Sequence, residues 1–119
     1  MNHNENIVRA KEEVIDVDVK NMADEDLGTI CEVMLDKTSG RVAYAVLESG
    51  GFLGLGGKLF ALPWSAINYD TNKECFIINV DKERLKNAPG FDKDNWPDMA
   101  DRTWGQSISQ YYGTKSYWE

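Results

Sequence analysis

The run Arg41-Val42-Ala43-Tyr44-Ala45-Val46-Leu47 constrains this chain more than any other stretch. Both alternate sets of positions are apolar, turn residues bound it on either side, and it is too short to make a helix of ordinary length. A strand with two apolar faces must be covered on both, so it belongs in the middle of a sheet and not at an edge. Whatever the chain becomes, residues 41–47 are a central strand.

The flanking segments supply the rest of a sheet. From Glu13 the sequence alternates, with Val17 and Val19 facing one way and Asp16 and Asp18 the other, which predicts a half-buried strand. Asn21 to Gly28, carrying Asp24, Glu25 and Asp26, reads as a turn. A second strand is expected over Thr29 to Asp36, with Cys31, Val33 and Leu35 on one face and Ile30, Glu32 and Met34 on the other. Lys37-Thr38-Ser39-Gly40 closes a hairpin, with Gly40 free to take a positive φ. Beyond a glycine-rich segment, Lys58 to Leu62 resumes extended chain and Pro63 ends it. Trp64 to Ile67 suits one helical turn, Tyr69-Asp70 returns to extended chain, and Cys75 to Val80 is the last strand. Asp81 is an N-cap for a short helix over Lys82 to Ala88, stopped by Pro89-Gly90. An acidic loop, Phe91 to Asp98, precedes a helix opened by Asp98 or Asp101 and running to about Tyr112, with Gly113 as its C′ residue. The expected organisation is a flexible lead-in at 1–13, a small barrel at 14–81 and a helical tail at 82–119. Closure leaves so small a sheet few unpaired edges.

Charge and residue types narrow the function. The 119 residues fit one domain, and 20 acidic against 13 basic side chains give a net charge of −7. That charge disfavours direct nucleic-acid binding and anionic lipid, and suits a basic protein patch. No signal-like or membrane-length apolar stretch is visible, so a cytoplasmic protein without membrane insertion is expected. Cys31 and Cys75 form no CxxC pair and read as reduced, buried thiols, with a disulfide left open should their strands be neighbours.

Catalytic patterns fail one by one. The only histidine, His3, lies in the lead-in, where nothing holds a triad imidazole in place. The Gly50–Gly57 segment lacks the glycine and the hydroxyl residue of a P-loop, having Phe52 and Leu59 there. Asp92, Asp94 and Asp98 start like a calcium loop, but Pro97 and Thr103 occupy its glycine and glutamate positions. Solvated acids capping a helix are the simpler reading of Asp92–Asp101, with an adventitious cation left open. Glu32 and Asp36 stand about 13 Å apart along a strand, too far for a preset dyad. No enzyme and no cofactor is expected.

Several of these segments together resemble the PRC-barrel family. They are Met34-Leu35-Asp36, Ser39 to Leu47, Gly50-Gly51-Phe52-Leu53-Gly54 and Lys58-Leu59-Phe60-Ala61-Leu62-Pro63-Trp64. The family is named after the cytoplasmic domain of the photosynthetic reaction centre H subunit. It includes the C-terminal domain of a bacterial ribosome maturation factor and many stand-alone proteins. The resemblance covers roughly Val14 to Val80, and the tail around Leu85–Pro89, Phe91-Asp92 and Trp96-Pro97 is similar to that of stand-alone members. It implies a partly open six-stranded, SH3-like barrel used as an adaptor surface, with no shared active site. Neither photosynthesis nor ribosome maturation follows directly.

The expected function is a protein-interaction module, self-associating, with a homodimer favoured. Its interaction residues are the apolar tip Phe52, Leu53 and Leu55 and the tail aromatics Trp104, Tyr111, Tyr112 and Trp118, more than one barrel easily buries. The alternatives are a small-ligand-binding protein using the Gly50–Gly57 loop, and an assembly factor acting through a ribosomal or other basic protein.

Overall fold

The computed structural model describes residues 6–51 and 57–119. β1 (Asp18–Asn21), β2 (Asp26–Asp36), β3 (Arg41–Ser49), β4 (Leu59–Pro63), β5 (Ile67–Asp70) and β6 (Cys75–Ile78) form one sheet in the order β4-β3-β2-β1-β6-β5. All neighbours pair antiparallel except β1 and β6, which run parallel. The outermost strands, β4 and β5, are joined by a single 3-10 turn, Trp64–Ala66. Laid flat, the sheet would hold them about 24 Å apart, at roughly 4.8 Å per strand. The link from Pro63 to Ile67 reaches no more than about 14 Å even when extended. The sheet therefore curls. Among the described residues it is a barrel closed by the chain and not by a sixth ladder, which is the partly open six-stranded form the resemblance implies.

β3 is the expected central strand, and Ala43 to Leu47 are all buried. Inside the barrel, Ala45 and Leu47 meet Val19, Ile30, Phe60, Leu62, Phe76 and Ile78. On the outer side, Tyr44 joins Ala61 of β4 and Ile108 of the C-terminal helix in a second, smaller core.

Two expectations for the early strands need correction. β1 begins at Asp18, because Val14 to Asp16 form the turn that ends a short helix, α1 (Ala10–Glu13), with Asp16 at φ 70°. The chain still joins β2 through this kink, since Asp16 N–H donates to the Ile30 carbonyl at 2.7 Å. β2 begins earlier than expected, at Asp26, because the Asn21 side chain closes a tight turn by accepting from the Ala23 and Glu25 amides. Two register shifts then break the alternation of β2, between Ile30 and Glu32 and between Met34 and Leu35. The first gives β2 an extra residue, Cys31, so Ile30 and Val33 both pack on the barrel core three positions apart; the second gives the extra residue to β3. Cys31 is half-buried and Leu35 is 58% exposed, so they do not share the inward face with Val33.

The helical tail is built as its capping residues require. The Asp81 carboxylate accepts from the Arg84 amide at 2.7 Å and starts α2 (Lys82–Lys86). The Asp101 carboxylate accepts from the Thr103 amide at 2.9 Å and starts α3 (Arg102–Tyr112), which Gly113 ends at φ 71°. Between them the chain runs along the free side of β4, where Phe91 and Leu59 exchange both backbone bonds at 2.9 Å. That approach needs Gly90, whose Cβ would lie 2.9 Å from the Leu59 carbonyl and 2.8 Å from the Phe60 ring. Replacing the cap, Asp101→Ala, is expected to cost about 1 kcal/mol, read as a shift of the urea midpoint at constant slope.

Candidate interaction surface

The tail aromatics are where barrel and tail meet. Trp104 stands edge-on to Tyr44 with ring centres 5.3 Å apart, and Tyr117 does the same at 5.9 Å. Tyr111 packs against Tyr112 at 5.2 Å and carries the Arg84 guanidinium 4.4 Å above its ring. The pair is latched both ways, since Tyr111 Oη donates to the Arg84 carbonyl and Arg84 Nη2 donates to the Tyr111 carbonyl. Trp118 stacks edge-on with Tyr117 at 5.1 Å beneath Arg102. Burial raises the Tyr112 phenol above its ordinary range, and with help from Tyr117 the Tyr44 phenol is pushed up to about 12. Trp104, Tyr111, Tyr112 and Trp118 are thus half-buried on their own chain. Trp104 and Tyr112 pack on the outer core, Tyr111 on the barrel core beside Arg84, and Trp118 against Gly105 of α3 and Tyr117. The predicted tip residues Phe52, Leu53 and Leu55 lie outside the described residues.

Other sequence candidates resolve into structural roles. Cys31 and Cys75 are free thiols on β2 and β6, with β1 between them, and burial raises both above the usual thiol value. In the acidic loop, Asp98 accepts from the Ala100 amide at 3.0 Å and Asp101 caps α3. Among the described residues no three His, Cys, Asp or Glu side chains gather closely enough to hold a metal ion. No helix among them is long and apolar enough to cross a membrane.

The open part of the barrel is β5. The other outer strand, β4, has Phe91 along its free side, whereas β5 pairs with β6 alone among the described residues. Asn68 and Tyr69 are both exposed, and Met22 across β6 is 72% exposed. A shallow groove of about 460 Å³ runs here, lined by Met22, Ala66, Asn68, Tyr69, Asp70 and Ile77 among others. Tyr69 continues an aromatic ladder from the barrel, 5.1 Å from Phe76, which is itself 5.9 Å from Trp64. Partial desolvation, then Glu74, Cys75, Glu13 and Asp70, raise the Tyr69 phenol above its ordinary value, so this ring sits in a field of carboxylates. The nearby cations turn mainly to Asp24, although Lys73 also feels Asp70. Lys73 and Lys20 reach Asp24 at 3.1 and 3.9 Å, and the Lys73 hydrogen bond with the two charges holds that carboxyl below the usual range.

A second cleft, of about 430 Å³, lies at the joint of barrel and tail between Trp64, Ser65, Tyr44 and Tyr117. Arg41 and Lys115 both line it, and Arg41 already donates to the Tyr117 carbonyl at 2.9 Å.

The family profile described as PRC-barrel domain matches residues 8–85. The chain belongs to the PRC-barrel family. No curated protein matches it. Among solved structures, one described as a 16S ribosomal RNA processing protein, RimM, from Pseudomonas aeruginosa is similar at 16% identity and a TM-score of 0.44. The similarity covers 65% of this chain and 50% of that one, so the PRC-barrel chain spans about half the length of that neighbour.

Sequence reasoning did not find Met22 and Tyr69. Tyr69-Asp70 reads as extended chain, but no local pattern says which side of a strand lacks a neighbour. The position of β5 at the border follows from the parallel β1–β6 pairing, a contact between residues far apart in sequence.

Proposed function

We propose that this PRC-barrel chain is a non-catalytic protein-interaction module acting in the cytosol. The observation that carries the reading is the open edge of β5, with Asn68 and Tyr69 exposed on the strand and Met22 exposed across β6, while Phe91 pairs with Leu59 of the other outer strand. An unpaired edge next to exposed apolar side chains is a surface that other proteins read well, and small substrates poorly. The acidic net charge of −7 favours a basic partner, a ribosomal protein among the candidates. The immobilised chain should retain a discrete protein from native lysate, and Tyr69→Asp with Met22→Asp should release it. Equal retention by the double variant would remove this support.

Self-association is the finer form of the reading and rests on the tip Phe52, Leu53 and Leu55, since the tail aromatics are occupied on their own barrel. Sedimentation at micromolar concentration should show a dimer that Phe52→Asp dissociates. A monomer at every concentration leaves only hetero-association. The barrel–tail cleft supports a second reading, a small-ligand site. It requires a metabolite that raises the melting temperature in proportion to the logarithm of its concentration.

A further inference from the structure

We infer that the free edge of β5 receives an extended, lysine- or arginine-bearing segment of a partner protein, added as a seventh strand. The inference rests on the interaction-module reading and specifies its surface and the chemistry of its occupant. Strand addition gains affinity from backbone bonds along an open edge and specificity from alternate side chains seated beside it. β5 offers both. Its outer side pairs with no described residue, and the groove over its face, lined by Ala66, Asn68 and, on neighbouring β6, Ile77, gives side chains of an added strand that reach across β5 a place to lie.

Charge decides between occupants. Asp70 lies on the strand, one of its oxygens accepting from the Asn72 and Lys73 amides, and Glu13 and Glu74 act on Tyr69 beside it, while the Lys20 and Lys73 ammonium groups reach Asp24. A second copy would bring the same carboxylates to the same edge, on a body that also carries −7. Like charges placed opposite each other across paired strands are destabilising, so the acids that repel a copy attract a basic strand. The four residues of β5 allow only a short ladder, which fits a transient contact tuned by salt.

The test uses the full chain, isotope-labelled for amide NMR, and three synthetic peptides of about eight residues. One alternates valine with lysine, one alternates valine with glutamate, and one is the lysine peptide with a central proline. The lysine peptide should shift the amides of residues 67–70 first. Its affinity should fall at least about fivefold in Glu13→Lys/Glu74→Lys, and again between roughly 50 and 300 mM salt. The proline peptide keeps the charge and loses the ladder, so it should bind at least about fivefold more weakly than the uninterrupted one. Equal binding of the proline peptide, shifts confined to another face, or no lysine-peptide binding at millimolar concentration would each overturn the inference. So would a dimer that Tyr69→Asp dissociates, because the edge would then hold a second copy. If lysate capture persists and ignores every edge variant, the module reading stands and this one falls. If nothing is captured and the chain stays monomeric, the module reading fails first.

Discussion

Gly28→Ala is expected to cost about 3–5 kcal/mol, a large part of the stability of a domain this size. Gly28 sits inside β2 at φ 140°, a region that L side chains avoid, and its partners on either side are Val19 and Ser49. A Cβ there would lie 2.1 Å from the Glu48 carbonyl oxygen and 3.0 Å from its carbon. Strain and collision act together, and the collision is with backbone, which cannot swing aside. Gly40→Ala separates the two effects, because Gly40 also has positive φ, 80°, but nothing lies within 4 Å of its Cβ position. That control should lose only about 1–2 kcal/mol. Urea unfolding followed by tryptophan fluorescence gives both values. A loss below about 1 kcal/mol at Gly28 would mean that β2 and β3 part readily, and that this close approach does not hold the barrel's register.

Much of the barrel was legible because its signals are local. Tyr44 and Val46 alternate with Ala45 and Leu47, so β3 announces burial on both faces, and the structure supplies the barrel interior for one and α3 for the other. Asp81, Asp101 and Gly113 are terminal residues whose side chain or backbone freedom acts within three positions, and each caps the helix expected of it. Pro63 and the Gly40 hairpin belong to the same class.

The rest was hidden for one physical reason: bulges and strand order come from pairing partners distant in sequence. Nothing near Cys31 reveals that β2 gains a residue against β3, yet that bulge is what puts Val33 on the core side with Ile30 and not opposite it. Likewise Gly28 looks like a turn glycine until its neighbour across the ladder is known. By composition the tail aromatics are a surplus, because composition does not show that α3 brings a wall of its own to the outer face of β3. That wall changes which surface is available, shifting attention from Trp104 and Trp118 to Tyr69 and Met22.

Ile108→Ala should undock α3 and leave the barrel folded. Ile108 is fully buried at the centre of the outer core with Ala43, Tyr44 and Ala61, and truncating such a side chain costs about 2–4 kcal/mol. The barrel core draws on all six strands and takes from α3 only the flanks of Tyr111 and Tyr112. The loss should therefore fall on the helix and not on the whole molecule. In hydrogen exchange, amides of residues 102–112 should lose protection by a factor of about 30 to 1,000, while those of β3 stay protected. Gly105→Val tests the same contact from the opposite direction, by overfilling. A Cβ at Gly105 would lie 2.8 Å from Tyr44 Oη and 2.9 Å from the Trp118 ring, so the helix must lift or both rings must move. The two variants should give the same pattern, with Trp104 and Trp118 becoming more exposed by fluorescence quenching. Uniform loss of protection through β3 in both would show that α3 and barrel unfold as one unit.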